Sequence, residues 1–157
     1  MEIVNVRIDD RLIHGQVAGM WTGTLKATRI MVVDDEIIKD DLRKRMLKMA
    51  CPAGVKLSIL NCETAAANIL TEKYVDDRIF TIVKSPATLA RLFELGFPLT
   101  EVTVGNMSSK SNTRQIIKTI NITDEDSTIF RDLSAKGVAF YAQMVPSADR
   151  DSFMEML

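Results

Sequence analysis

The chain of 157 residues holds one histidine, one tryptophan, two cysteines and four prolines. Each scarcity excludes something. Cys51 and Cys62 have ten residues between them and form no CxxC pair, which reads as two reduced thiols in a cytosolic protein. A structural zinc site needs about four ligands, which one histidine and two separated cysteines do not provide. No run of about 18 apolar residues exists to span a membrane. Met1-Glu2-Ile3-Val4 lacks the basic-then-apolar form of a signal peptide. Net charge is also missing: 20 Lys and Arg stand against 21 Asp and Glu, leaving −1. A nucleic-acid binder is expected to be basic, and an acidic disordered tail is equally absent. What remains is 46% hydrophobic, enough for one domain with a buried core over 1–157.

Apolar runs alternate with helical patterns along that length. Strands are expected at Ile3–Ile8, Ile30–Val33, Val55–Leu60, Ile79–Val83, Val102–Val104, Gln115–Ile122 and Val138–Ala142. A helix is expected where Ile38, Leu42, Met46 and Met49 fall on one face. A second follows the N-cap Ser85 and Pro86, carries Leu89, Leu92, Phe93 and Leu95, and stops at Gly96. A third opens with Thr123 and Asp126 as a capping-box variant and ends at Gly137. Residues 63–70 and 148–157 also read as helical, and the nine methionines as mostly core filler. Trp21 and Met20 are expected to pack on the sheet.

Strand, helix, strand, helix predicts an α/β fold. It is an open, doubly wound, mainly parallel sheet of about seven strands, with helices on both faces. Such sheets bind ligands outside the carboxyl ends of the strands. The loops to inspect therefore follow Ile8, Val33, Val83 and Val104.

Chemistry concentrates in Arg7-Ile8-Asp9-Asp10-Arg11-Leu12-Ile13-His14-Gly15-Gln16-Val17, between the first strand and a short helix over 16–22. Neutral imidazole is a good nucleophile. Two arginines attract an anion, and Asp9 or Asp10 would orient the ring. A helix N-terminus offers free amides to phosphate oxygens, which Gly15 would let approach. The assembly suits a phosphoryl group carried on His14. Gly105-Asn106-Met107-Ser108-Ser109-Lys110-Ser111 fails as a phosphate-binding P-loop, because Ser109 stands where glycine is needed. Lys84, Asn106 and Ser108 are instead expected beside the His14 loop. Arg43, Lys44, Arg45 and Lys48 form a local basic cluster.

Residues 7–17 resemble the active-site signature of the IIB components of mannose-family sugar phosphotransferase systems. Likeness continues through Trp21, Val32-Val33-Asp34-Asp35-Glu36, Pro52-Ala53-Gly54-Val55, Gly96-Phe97-Pro98 and Val104-Gly105-Asn106-Met107. The resemblance implies a cytoplasmic phosphocarrier that accepts a phosphoryl group from IIA on His14, through Nδ1. It then passes the group to a sugar imported through the membrane subunits IIC and IID, its only contact with a membrane. Arg11 would balance the phosphoryl charge, assisted by Arg7, and Asp9 would fix the imidazole. Asp10, Leu12, Ile13, Gly15 and Gln16 would cradle the phosphate, mainly through backbone amides. The basic cluster at 43–48 would dock on an acidic rim of IIA. No metal or cofactor is required. The rival readings are a phosphorylation-responsive regulatory module of the same fold and a nucleotide-binding α/β enzyme.

Overall fold

Eight short strands and one two-residue edge strand alternate with five helices. The computed structural model describes the backbone of residues 1–157 and every side chain except those of Gln16 and Val17. In chain order the elements are β1 Glu2–Asp9, α1 Gly15–Leu25, β2 Arg29–Val33, α2 Asp41–Ala50, β3 Lys56–Leu60, α3 Cys62–Leu70 and β4 Arg78–Val83. They continue with α4 Pro86–Glu94, β5 Glu101–Asn106, β6 Arg114–Ile117, β7 Ile120–Ile122, α5 Asp124–Ala135, β8 Ala139–Ala142 and β9 Asp151–Ser152.

The main sheet runs β3-β2-β4-β1-β5-β8-β9. All of its pairings are parallel except β8 with β9 at the edge. Its strands read as apolar runs because both faces are covered. Met31, Val33, Ile79 and Val104 meet α3, α4 and α5 in one core. Ile30, Val32, Phe80 and Ile82 meet Ala18, Trp21 and Leu47 of α1 and α2 in the other. The expected caps are present: Asp126 and Thr123 bond reciprocally at the start of α5, and Pro86 opens α4. Ser85 occupies the N-cap position of α4 without a capping bond from its side chain.

Three expectations are corrected. Gln115–Ile122 is not one strand but the antiparallel hairpin β6–β7, apart from the main sheet. Its turn, Lys118-Thr119, carries none of the Asn-Gly chemistry that would mark it in sequence. Residues 148–157 are not a helix. Asp151 pairs with Ala142, Phe153 is sealed against Phe130, and only a 3-10 turn follows at Met154–Met156. On α2 the face holding Leu42, Met46 and Met49 points outward, and Leu47 is the buried residue. Methionine is accordingly divided: Met31 and Met107 are core, while Met1, Met20, Met46 and Met49 are exposed.

Candidate functional site

β4, β1 and β5 lie side by side in parallel, so the loops after Val83, Asp9 and Asn106 open on one edge of the sheet. The loop after β1 turns tightly. The Arg11 N–H donates to Asp9 Oδ1 at 3.1 Å, and the Leu12 N–H to the Asp9 carbonyl at 2.9 Å. Leu12 is held at φ +59° and Gly15 at φ +47°. Glycine adopts this left-handed region freely, whereas leucine is strained in it. Leu12 and Ile13 drive their side chains into the core beneath α1, which secures that backbone. His14 is the N-cap residue of α1.

Beneath the loop lies a buried charge array. Arg7, 2% exposed, donates to the Gln143 carbonyl at 2.8 Å and the Met144 carbonyl at 3.1 Å. Its guanidinium carbon stands 5.0 Å from the Trp21 ring centroid. Its Nε lies 3.6 Å from Asp9 Oδ2. Burial pulls its pKa below the ordinary value, Asp9 opposes that pull and Arg11 adds to it. The Arg11 guanidinium bonds both Asp9 oxygens, at 3.2 and 3.3 Å, with its side chain 40% exposed. Arg11 is thus the arginine that can reach a ligand. Arg7 cannot: the expectation that it assists at the phosphate is corrected by its burial and its carbonyl partners.

Asp9 is likewise committed to the two arginines and does not bond the imidazole in this conformation. Both ring nitrogens of His14 are enclosed and find no hydrogen-bond partner among the described residues. The ring borders a small recess shared with Arg7, Asp9, Leu12, Trp21 and Phe80. Asp10 turns the other way. Its oxygens accept from Asn106 Nδ2 and the Ser108 N–H, each at 2.7 Å, which staples the β1 loop to the β5 loop.

Residues 3–157 match the family model of the sorbose-subfamily IIB component of phosphotransferase systems. The chain belongs to that IIB family. It is 37% identical to the sorbose-specific EIIB component of Lacticaseibacillus casei over 95% of this chain and 93% of that one. It is 34% identical to the fructose-specific EIIB component of Bacillus subtilis over 100% and 96%. The solved IIBSor domain of the Klebsiella pneumoniae sorbose permease superposes with a TM-score of 0.95 at 29% identity, covering 99% of this chain and 96% of that one. The IIB chain is a phosphocarrier of a sugar phosphotransferase system, and its open α/β sheet is the architecture of its relatives.

The other expected site residues separate into two groups. Lys84 and Ser108 line one cleft of about 310 Å³ together with Asp10, Ser85, Lys110 and Thr113. Asn106 reaches it through its bonds to Asp10 and Ser108. His14 does not line that cleft. The basic cluster on α2 shares no hydrogen bond with the His14 loop among the described residues. Arg43 and Lys44 are half-buried, and Lys44 bonds the Ile38 carbonyl, so of the four only Arg45 and Lys48 are exposed. Trp21 is buried as expected and donates to the Met144 carbonyl, whereas Met20 is exposed. Sequence reading missed Gln143, Met144 and Gly105. The first two act through backbone carbonyls that no side-chain motif marks. Gly105 is required because a Cβ there would overlap the Arg7 guanidinium.

Among the described residues no helix is long and apolar enough to cross a membrane.

Proposed function

We propose that His14 accepts a phosphoryl group from a IIA phosphocarrier and passes it to a sugar delivered by membrane subunits IIC and IID. The observation that carries this reading is the position of the chain's only histidine, at the N-cap of α1 on the ligand-binding edge of a IIB fold. A ring nitrogen, taken as Nδ1, attacks phosphorus while the donor's P–N bond breaks and its electron pair returns to the donor imidazole. A sugar hydroxyl oxygen then attacks, the P–N bond at His14 breaks, and the hydroxyl proton leaves to solvent. Arg11, anchored by Asp9, faces the transferring group, where positioning and charge balance supply most of the catalysis. The Arg11 and Leu12 amides are spent on Asp9, so the amide cradle starts at Ile13. The enclosed imidazole must turn outward first, about backbone flanked by Leu12 and Gly15.

Arg45 and Lys48 contribute to steering an acidic IIA rim, an effect weakened by salt. A fused IIA–IIB relative, the mannose-specific EIIAB component of Escherichia coli, is matched over 49% of its own length, which supports a IIA donor. The relatives carry sorbose, fructose and mannose in their names, and a sugar of that class is the proposed acceptor. The site of action is the cytoplasm.

The test is incubation with phosphoenolpyruvate, the general phosphotransferase proteins and IIA. The IIB chain takes up one acid-labile phosphoryl group, and His14→Ala takes up none. Labelling that persists in His14→Ala overturns the assignment.

A further inference from the structure

The cleft of about 310 Å³ beside the β1 loop shares no lining residue with the recess that His14 borders. Lys84, Ser85 and Pro86 wall it where β4 passes into α4, and Ser108 and Lys110 wall it after β5. Asp10 enters from the β1 loop, since β1 lies between β4 and β5 in the sheet. The volume is at the small end of the range for ligand pockets, about 300–1,000 Å³.

The polar groups of the cleft divide into those already spent and those left over. Asp126 and Thr123 are bonded to each other's backbone at the start of α5. The Thr113 hydroxyl is bonded to the backbone of Lys110. Asp10 accepts one N–H on each oxygen, which leaves each oxygen room for a second donor. The Lys84 and Lys110 ammonium groups have no partner among the described residues. The Ser85 hydroxyl has only the Thr88 hydroxyl, at 3.5 Å, and does not cap α4. The unspent groups are therefore two cations and a hydroxyl donor, with the spare acceptor sites of one carboxylate beside them.

From this lining we infer that the cleft binds the phosphate monoester of a monosaccharide. Lys84, Lys110 and the Ser85 hydroxyl donate to the phosphate oxygens in charge-assisted bonds. Sugar hydroxyls donate to the spare acceptor sites of Asp10. Simpler ligands satisfy only part of the lining. A neutral sugar leaves both ammonium groups uncompensated. Inorganic phosphate brings no sugar hydroxyl to Asp10 and meets that carboxylate as a like charge. A nucleotide finds no aromatic side chain among the lining residues on which to stack its base. The ligand is of the class that the transfer proposed for His14 releases, and only its origin as that product rests on that reading.

Titration of the full, unphosphorylated chain with mannose 6-phosphate and with fructose 1-phosphate tests the inference, read by calorimetry and by amide NMR shifts. At least one ester saturates below about 10 mM and moves the Ser85, Ser108 and Lys110 amides. Lys84→Met and Lys110→Met each weaken binding by about tenfold or more. Both side chains are exposed, and unchanged circular dichroism confirms folding. Mannose, fructose and inorganic phosphate each bind about tenfold more weakly than the better ester, or worse. His14→Ala binds the ester as the wild type does, so the result is independent of where the chain is phosphorylated. Failure of both esters to saturate overturns the inference. Inorganic phosphate binding as tightly as the ester also overturns it, leaving a bare anion site. So does ester binding that ignores both lysine variants or disappears in His14→Ala, because the ligand then sits elsewhere.

Discussion

Gly105 of β5 and Arg7 of β1 are fitted to each other: a methyl group at 105 would overlap the guanidinium that Arg7 extends across the sheet. Gly105→Ala therefore forces Arg7 to shift inside a packed core. We expect a loss of about 1–3 kcal/mol, read as a lower urea midpoint at unchanged slope. Gly19→Ala is the control, because nothing lies within 4 Å of its Cβ position in α1. It stabilises by up to about 1 kcal/mol.

The two arginines of the loop separate stability from activity. Arg7→Met strands the Gln143 and Met144 carbonyls and removes a buried partner of Asp9. It costs about 3–5 kcal/mol. Arg11→Ala breaks a half-exposed pair and costs about 1 kcal/mol or less. If Arg11 faces the phosphoryl group, that variant slows transfer from IIA by about 100-fold. Thermal melts and single-turnover phosphorylation together distinguish the two.

Asp10→Ala removes the staple between the β1 and β5 loops. The lost bonds are half-buried or exposed and cost about 0.5–1.5 kcal/mol, felt locally. Hydrogen exchange at the Ser108 amide should accelerate about tenfold or more, while the α3 amides keep their protection.

Asp77 sets an acid limit. Burial raises its pKa, but bonds from Arg29 at 2.8 Å, Lys56 at 3.1 Å and Thr28 at 3.0 Å outweigh it, and the net shift is downward. A carboxyl lowered on folding stabilises above its unfolded pKa and loses that contribution as pH falls through the folded one. Asp77→Asn should be less stable than wild type at pH 7. The gap should close as pH drops below about 4.

Cys62 is pushed up to about 12 by burial, reinforced by the charge of Asp35. The half-buried Cys51 is raised by burial too. Iodoacetamide at pH 8 should modify Cys51 first and reach Cys62 only in denaturant, followed by mass spectrometry.

Much of this protein is readable along the chain. The parallel strands are apolar runs, and α4 and α5 announce themselves by Pro86, Thr123 and Asp126. The outward turn of α2 is not readable. Its residues Leu42, Met46 and Met49 make a better apolar stripe than the single Leu47 that the fold buries, because periodicity shows that a face exists and not which side the sheet takes. The β6–β7 hairpin escaped because its turn, Lys118-Thr119, carries no turn signature, and the final edge strand because its pairing partner is β8 and not a local periodicity.

By itself the sequence determined the alternation of strands and helices, the edge of the sheet on which the strand-end loops gather, and the loop that carries the only histidine. These follow from local periodicity and from the spacing of residues within one short segment. Only the tertiary structure decided how the charges in that loop are spent. Arg7 and Arg11 are four residues apart and look equivalent in one dimension. Strand alternation sends Arg7 inward beneath Trp21 to the carbonyls of residues 143 and 144, and the turn at Leu12 leaves Arg11 half in solvent. Competition among neighbours from distant segments set those partners, so packing fixed which arginine stays accessible at the loop.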